Sequence, residues 1–212
     1  MIRHLERVIP AAPGKPERGS AEHPMRKVTE AVASGAATAW TTEQAAEVES
    51  FFDDLADEWH TRSDPHRDEP LRDAFDRGGI PSHGVMLEVG SGTGLLTPSL
   101  FARGAAVIAL DLSFEMLKFA PAELAPRLQA DAARLPFPDR SITSAVLINA
   151  FLFPDETDRV LTDDGALVWV NTSGDKTPIY LSADDVDAAL PGAWTGLAAE
   201  AGWGTWAVLR RA

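Results

Sequence analysis

From Val85 to the C-terminus, short apolar runs alternate with segments of helical spacing, and few architectures accommodate that pattern. The runs are Val85–Val89, Ala106–Leu112, Leu128–Asp131, Ile142–Asn149 and Ala166–Asn171. Each is continuously apolar, without the alternation of a half-exposed strand, as strands covered on both faces of a parallel sheet require. Helices are expected after the first run to about Arg103, from Ser113 to about Ala122, over 154–161 and over Ser182–Leu190. Trp194–Ala199 and Thr205–Arg210, joined through Ala201-Gly202-Trp203-Gly204, read as an antiparallel hairpin. The expectation is an α/β fold: a doubly wound, mostly parallel seven-stranded sheet with an antiparallel C-terminal hairpin.

Upstream, residues 41–60 read as a helix, capped by Thr41 or Thr42, with Ala45, Val48, Phe51, Phe52, Leu55, Ala56 and Trp59 at helical spacing. A second, short helix near 69–77 ends at Gly78-Gly79. Residues 1–24 hold Pro10, Pro13, Pro16 and Pro24 among polar residues and are expected to form a disordered tail, dispensable for folding. Met25 is a second candidate start. The expected organisation is a tail over 1–24, a helical lid segment over 25–80 and the main domain over 81–212.

Composition removes several chemistries. The chain has no cysteine, which excludes disulfides and thiol nucleophiles, and His4, His23, His60, His66 and His83 show no paired ligand spacing, so no metal site is expected. No apolar run approaches the roughly 18 residues of a membrane helix, and the proline-broken N-terminus is unlike a signal peptide, so a cytoplasmic protein is expected. The formal charge is −13, while residues 1–40 carry six basic and four acidic residues. A field of that sign repels nucleic acid and anionic membrane and leaves a small molecule or a protein as partner. Oligomeric state is not encoded in any pattern we find.

The loop Leu87-Glu88-Val89-Gly90-Ser91-Gly92-Thr93-Gly94 lies where the first run turns into helix. Glycines there permit a tight turn and a close ligand approach, and open α/β sheets bind ligands at the carboxyl ends of their strands. Asp111 ends the second run, where an acid can accept hydrogen bonds from ribose hydroxyls. A dinucleotide fingerprint needs a small residue at position 95, which is Leu95 here. Glu88 suits a cationic ligand better than a pyrophosphate.

These residues make the sequence similar to the class I S-adenosylmethionine-dependent methyltransferases, in particular the small-molecule group related to quinone-biosynthesis enzymes. The likeness continues through Ala109-Leu110-Asp111-Leu112-Ser113 to Met116-Leu117, and through Gln129-Ala130-Asp131-Ala132-Ala133-Arg134-Leu135-Pro136-Phe137-Pro138-Asp139. It reaches Arg159-Val160-Leu161 and Gly165-Ala166-Leu167-Val168, covering about 85–171. The resemblance implies S-adenosylmethionine as cofactor. Glu88, Gly90, Ser91, Gly92 and Gly94 would hold its methionine portion and Asp111 its ribose. Leu112 and Met116 would pack on the adenine, Asp131 and Ala132 would read its edge, and Asn149 would face the methyl group. The family usually has Asp where Thr143 stands and Pro-Gly where Asp163-Asp164 stand, and no acceptor domain follows the fifth strand here.

Phe52 to Arg62 resembles the family's lid, with Trp59 in place of a common tyrosine, so Trp59, His60 and Arg62 are expected to border the acceptor. Helical spacing alone shows only burial for that stripe. Asp111 and Asp131 could equally cap or turn the backbone, Met116 could fill core, and Asn149 could cap a turn. No catalytic base is assigned; His60 and Asp155 are the candidates by position. Two functions follow: methyl transfer to an unidentified small molecule, or cofactor binding without turnover as a regulatory subunit. Asn149-Ala150-Phe151-Leu152 lacks the Asn/Asp-Pro-Pro-aromatic motif of enzymes that methylate base amino groups.

Overall fold

A computed structural model describes residues 1–14, 23–36, 39–103 and 105–212. Chain order is β1 (Ile2–His4), α1 (Pro24–Ala33), α2 (Thr42–Trp59), α3 (Glu69–Arg77), β2 (Val85–Val89), α4 (Thr97–Phe101), β3 (Ala106–Asp111) and α5 (Phe114–Phe119). It continues with β4 (Arg127–Gln129), β5 (Ile142–Ile148), α6 (Pro154–Val160), β6 (Leu161–Asn171), α7 (Ala183–Ala189), β7 (Trp194–Ala201) and β8 (Gly204–Arg211). The strands form one sheet in the order β1-β7-β8-β6-β5-β2-β3-β4. All neighbours are parallel except β8, which runs antiparallel to both β6 and β7.

The doubly wound, mostly parallel sheet follows from strands apolar on both sides. Leu87, Leu110, Leu147 and Leu167 face one core layer, and Met86, Ala109, Val146 and Val168 face the other. Strand order reverses between β2 and β5, so their carboxyl ends open a crevice at the switch point. Asp163-Asp164 sit in a break of the β6 register: Ile142 pairs with Leu161, but Ser144 pairs with Ala166. In the C-terminal hairpin, Ala201 pairs with Gly204. Gly202 turns it at φ +55°, and a Cβ there would collide with the Glu69 carboxylate.

The N-terminus corrects the expected disorder over 1–14, and the sheet has eight strands rather than seven. Ile2, Arg3 and His4 pair in parallel with Gly196, Leu197 and Ala198. The Leu5 amide donates to Ala198 O at 2.8 Å, the Gly202 amide to Ile9 O at 2.9 Å, and the Trp203 indole to Ala12 O at 2.8 Å. The physical reason is that β7 would otherwise be a bare edge: its free backbone groups pair with this segment, whose Ile2, Leu5 and Ile9 also pack against the core. Residues 15–22 lie outside the described residues, so the expectation for that part stands apart from this correction.

The helical segment before β2 forms as its caps dictate. Thr41 Oγ1 accepts from the Gln44 amide and Gln44 Oε1 accepts from the Thr41 amide, closing a capping box at the start of α2. α3 is fixed to the sheet by a buried bond of 2.7 Å from the Trp206 indole to Asp73, which also pairs with Arg77.

Candidate functional site

The crevice at the carboxyl ends of β2, β3 and β5 is a cavity of about 950 Å³, part of it open to solvent. Its floor is the glycine loop. Gly90 and Gly92 take φ +69° and +55°, conformations that exact a cost from any side chain. A Cβ on Gly90 would meet the Ala150 side chain at 2.7 Å. One on Gly92 would project into the space between Trp59 Nε1 and Met116 Sδ, each about 4 Å away. The backbone at Gly92 is therefore bare where a ligand would lie.

Two acids border this floor. Asp111, at the end of β3, accepts from the Gly92 amide at 2.7 Å and from the Ser113 amide at 2.8 Å, so it ties the loop to the start of α5. Burial raises its pKa, opposed by those two amide bonds. Glu88 is fully buried, and desolvation pushes its carboxyl up to about 7, against the bond from Thr97 Oγ1 at 2.6 Å. A buried carboxylate with one hydroxyl donor gains from a cation above it. Ser91 Oγ is buried on the same wall with no hydrogen-bond partner among the described residues. An orphaned hydroxyl, a costly carboxyl and a bared loop together fit a ligand that carries positive charge and polar groups.

Of the residues singled out from sequence, Glu88, Gly90, Ser91, Gly92, Asp111, Leu112, Met116, Asp131, Ala132 and Asn149 all border this cavity. Gly94 does not face it. Its φ of +72° and the close approach of Pro121 Cδ, 2.5 Å from a built Cβ, make it a packing residue between the loop and α5. Asp131 accepts from the Ala133 amide at 2.8 Å and from the Trp40 indole at 2.9 and 3.1 Å. Asn149 adopts φ +52°; its amide nitrogen donates to Thr172 Oγ1 at 2.8 Å and its oxygen accepts from the Thr172 amide at 2.9 Å. Both ends of that side chain thus tie the residue after β5 to the turn after β6.

Of the three residues expected to border the acceptor, Trp59 and Arg62 line a cavity and His60 does not. Trp59 borders the first cavity and also a second cleft beside it, lined further by Phe52, Leu55, Arg62, Thr172 and Pro178. The Arg62 guanidinium lies 4.8 Å from the centre of the Trp59 ring. His60 turns outward and stacks on Phe119, centroids 4.4 Å apart and planes at 6°. The reason is spacing: one residue along a helix is a rotation of about 100°, which carries the side chain off the face that Trp59 uses. Asp155 is exposed in the first turn of α6. Neither candidate base reaches the cavity.

Sequence reasoning missed four contributors. Trp40 covers the Asp131 end, its ring centred 5.7 Å from Phe151 and 5.2 Å from Phe153. Arg67 borders both cavities. An indole immediately before a capping threonine and aromatics just after β5 were the available signals. Among the described residues, no cluster of His, Asp and Glu could hold a metal ion, and no helix is long and apolar enough to cross a membrane.

Comparison with known proteins agrees with this geometry. Residues 87–168, the stretch from the floor strand to β6, match the family described as Methyltransferase domain. A ribosomal RNA small subunit methyltransferase A from Anaeromyxobacter sp. (strain K) is 42% identical over 76 residues, 34% of this chain and 27% of that protein. The chain thus spans about a quarter of the length of the curated relatives it matches. Among solved structures, a DhpI complex with S-adenosylhomocysteine superposes with a TM-score of 0.63 at 20% identity, over 81% of this chain and 98% of that one. A S-adenosylmethionine-dependent methyltransferase from Aquifex aeolicus gives 0.55 at 20% identity, over 76% and 97%. The segment that builds the cavity is therefore similar to a methyltransferase domain, and the chain shares the fold of S-adenosylmethionine-dependent methyltransferases.

Proposed function

We propose that the protein transfers a methyl group from S-adenosylmethionine to a small molecule bound in the second cleft. The observation that carries this reading is the junction of the two cavities, which share Phe52, Trp59, Arg67, Asn149 and Ile179. S-adenosylmethionine supplies an electrophilic methyl group on a cationic sulfonium. The chain's own residues hold and align. Asp111 has lone pairs left for two ribose hydroxyls, and Leu112, Met116 and Ala132 offer an apolar slot whose far edge is Asp131. Ser91 and the bared loop suit the methionine portion, with Arg67 at hand for its carboxylate. Glu88 balances the positive charge.

Displacement at a sulfonium needs alignment and a dry environment more than proton transfer, and orientation alone contributes roughly 7–11 kcal/mol. Phe52, Trp59 and Trp40 supply the water-excluding wall. The absence of His60 and Asp155 from the cavity is compatible with a reaction that relies on positioning.

The test is transfer of labelled methyl from S-adenosylmethionine into extract fractionated by size. Label in the small-molecule fraction supports the reading. Binding without any transfer favours the regulatory alternative, and label in ribosomal RNA would move the acceptor to the class named for the curated relative; the net charge of −13 opposes the latter.

A further inference from the structure

The second cleft reverses the charge of the molecule that contains it. The chain has 32 acidic and 19 basic residues, yet among the described residues no Asp or Glu lines this cleft. Its charged groups are Arg62 and Arg67, and His23 stands at the end supplied by α1. His23 Nδ1 accepts from the Met25 amide at 3.2 Å, which in the neutral ring leaves the proton on Nε2 as a donor. Most of the remaining wall is apolar, from Met25, Phe51, Phe52, Leu55 and Ile179.

The two arginines divide. Arg67 also borders the cofactor cavity, whereas Arg62 borders only the cleft. Arg62 pairs with Glu58 at 3.2 Å, through one Nη, but Glu58 is well exposed at 75%, and a guanidinium fork carries five N–H groups. The guanidinium carbon lies over the Trp59 ring, 4.8 Å from its centre, a cation–π contact that keeps the fork, with its match to a planar two-oxygen anion, at the cleft.

We propose that the second cleft selects an apolar carboxylic acid as acceptor, its carboxylate paired with Arg62 and its apolar body against Phe51, Phe52 and Leu55. The proposal rests on the methyltransferase reading above and names the substrate class for it. A cationic acceptor would face two arginines in a cleft with no Asp or Glu among its described lining residues. A phosphate monoester, a dianion at neutral pH, would need more than the one arginine that the cofactor cavity does not share.

The protein saturated with S-adenosylhomocysteine is titrated by calorimetry with 4-phenylbutyrate, 4-phenylbutanamide, 4-phenylbutylamine and 3-phenylpropyl phosphate. The carboxylate should bind about tenfold or more tighter than the amide, as loss of a charge-assisted pair implies, and the amine should not bind. Arg62→Gln should bring the carboxylate down to the amide's affinity while S-adenosylhomocysteine affinity stays within about twofold, and Arg62→Lys should keep part of the preference. Glu58→Gln, which frees the fork without removing it, should tighten carboxylate binding by about twofold. Equal binding of acid and amide, a stronger amine or phosphate, no binding of any probe, or an unchanged preference in Arg62→Gln overturns the proposal. Failure of the wild-type protein to bind S-adenosylhomocysteine would instead overturn the methyltransferase reading beneath it.

Discussion

Trp59 lies at the meeting point of two cavities, and replacing it separates three roles for an indole. The side chain is half-buried, touches Phe52 edge-on at 6.1 Å, and reaches within 4 Å of the place a Cβ on Gly92 would occupy. A tryptophan that is fully core costs roughly 3–5 kcal/mol when cut to alanine. Half burial makes about half of that the expected stability loss for Trp59→Ala, read from denaturant midpoints. Over the glycine loop, the indole face can meet the sulfonium, a contact worth about 0.5–2 kcal/mol, or roughly 2- to 30-fold in affinity. S-adenosylhomocysteine lacks the sulfonium charge but keeps the shape. Calorimetry should therefore show S-adenosylmethionine weakened more than S-adenosylhomocysteine in Trp59→Ala, with Trp59→Leu losing the same difference while keeping most of the stability. Equal losses for the two ligands would refute the cation contact. A stability loss at the full core value with both affinities intact would refute the placement of Trp59 in the site.

Three further outcomes are expected. Glu88 has its carboxyl at about 7 in the folded protein against 4.5 unfolded, so the folded state holds the extra proton between those values. Stability of the free protein should fall as pH rises from about 5 through 7, by about 3 kcal/mol from this group, and Glu88→Gln should flatten that fall in thermal melts. By the same linkage, S-adenosylmethionine should bind more tightly at pH 8 than at pH 6, with proton release visible as a buffer-dependent enthalpy; tighter binding at pH 6 would contradict the assignment. Asp111→Ala should weaken S-adenosylmethionine by roughly 10- to 150-fold, the worth of charge-assisted bonds of about 1.5–3 kcal/mol, and unchanged affinity would remove Asp111 from the ribose role. A chain starting at Met25 loses β1 and the bonds to Ala198, Gly202 and Trp203, so its melting temperature should drop by several degrees, at about 2–4 °C per kcal/mol for a chain of this size; an unchanged value would show the N-terminal pairing to be energetically idle.

The parts legible in the sequence are those where one local rule decides. Strands buried on both faces read as unbroken apolar runs, and a glycine loop followed by an acid at the next strand end reads as a ligand floor, because both patterns lie within a few residues of each other. What escaped depends on partners distant in sequence. Ile2–His4 becomes a strand through the edge of β7, nearly 200 residues away, and nothing in those three residues announces it. Trp40 reaches Asp131 across 91 residues and takes part of the carboxylate that the family pattern leaves for adenine. His60 was misplaced for a different reason: neighbours in a helix share a sequence window but not a face. Asn149 borders the cavity, and its bond to Thr172, in the turn after β6, could not be read from its own neighbourhood.

The edge strand has a mechanical consequence for catalysis. Residues 1–14 are fastened to β7 and to the hairpin turn, and α3 is fastened to β8 through Asp73 and Trp206. The helices α1 and α2, which border the cavities, thus lie in the sequence between two fastened points. With both points held, lifting α1 and α2 is restricted in how far it can go. Admission of the acceptor and departure of the spent cofactor would then share one narrow travel, and cutting the N-terminal pin should speed the exit of S-adenosylhomocysteine even where its affinity contacts are untouched.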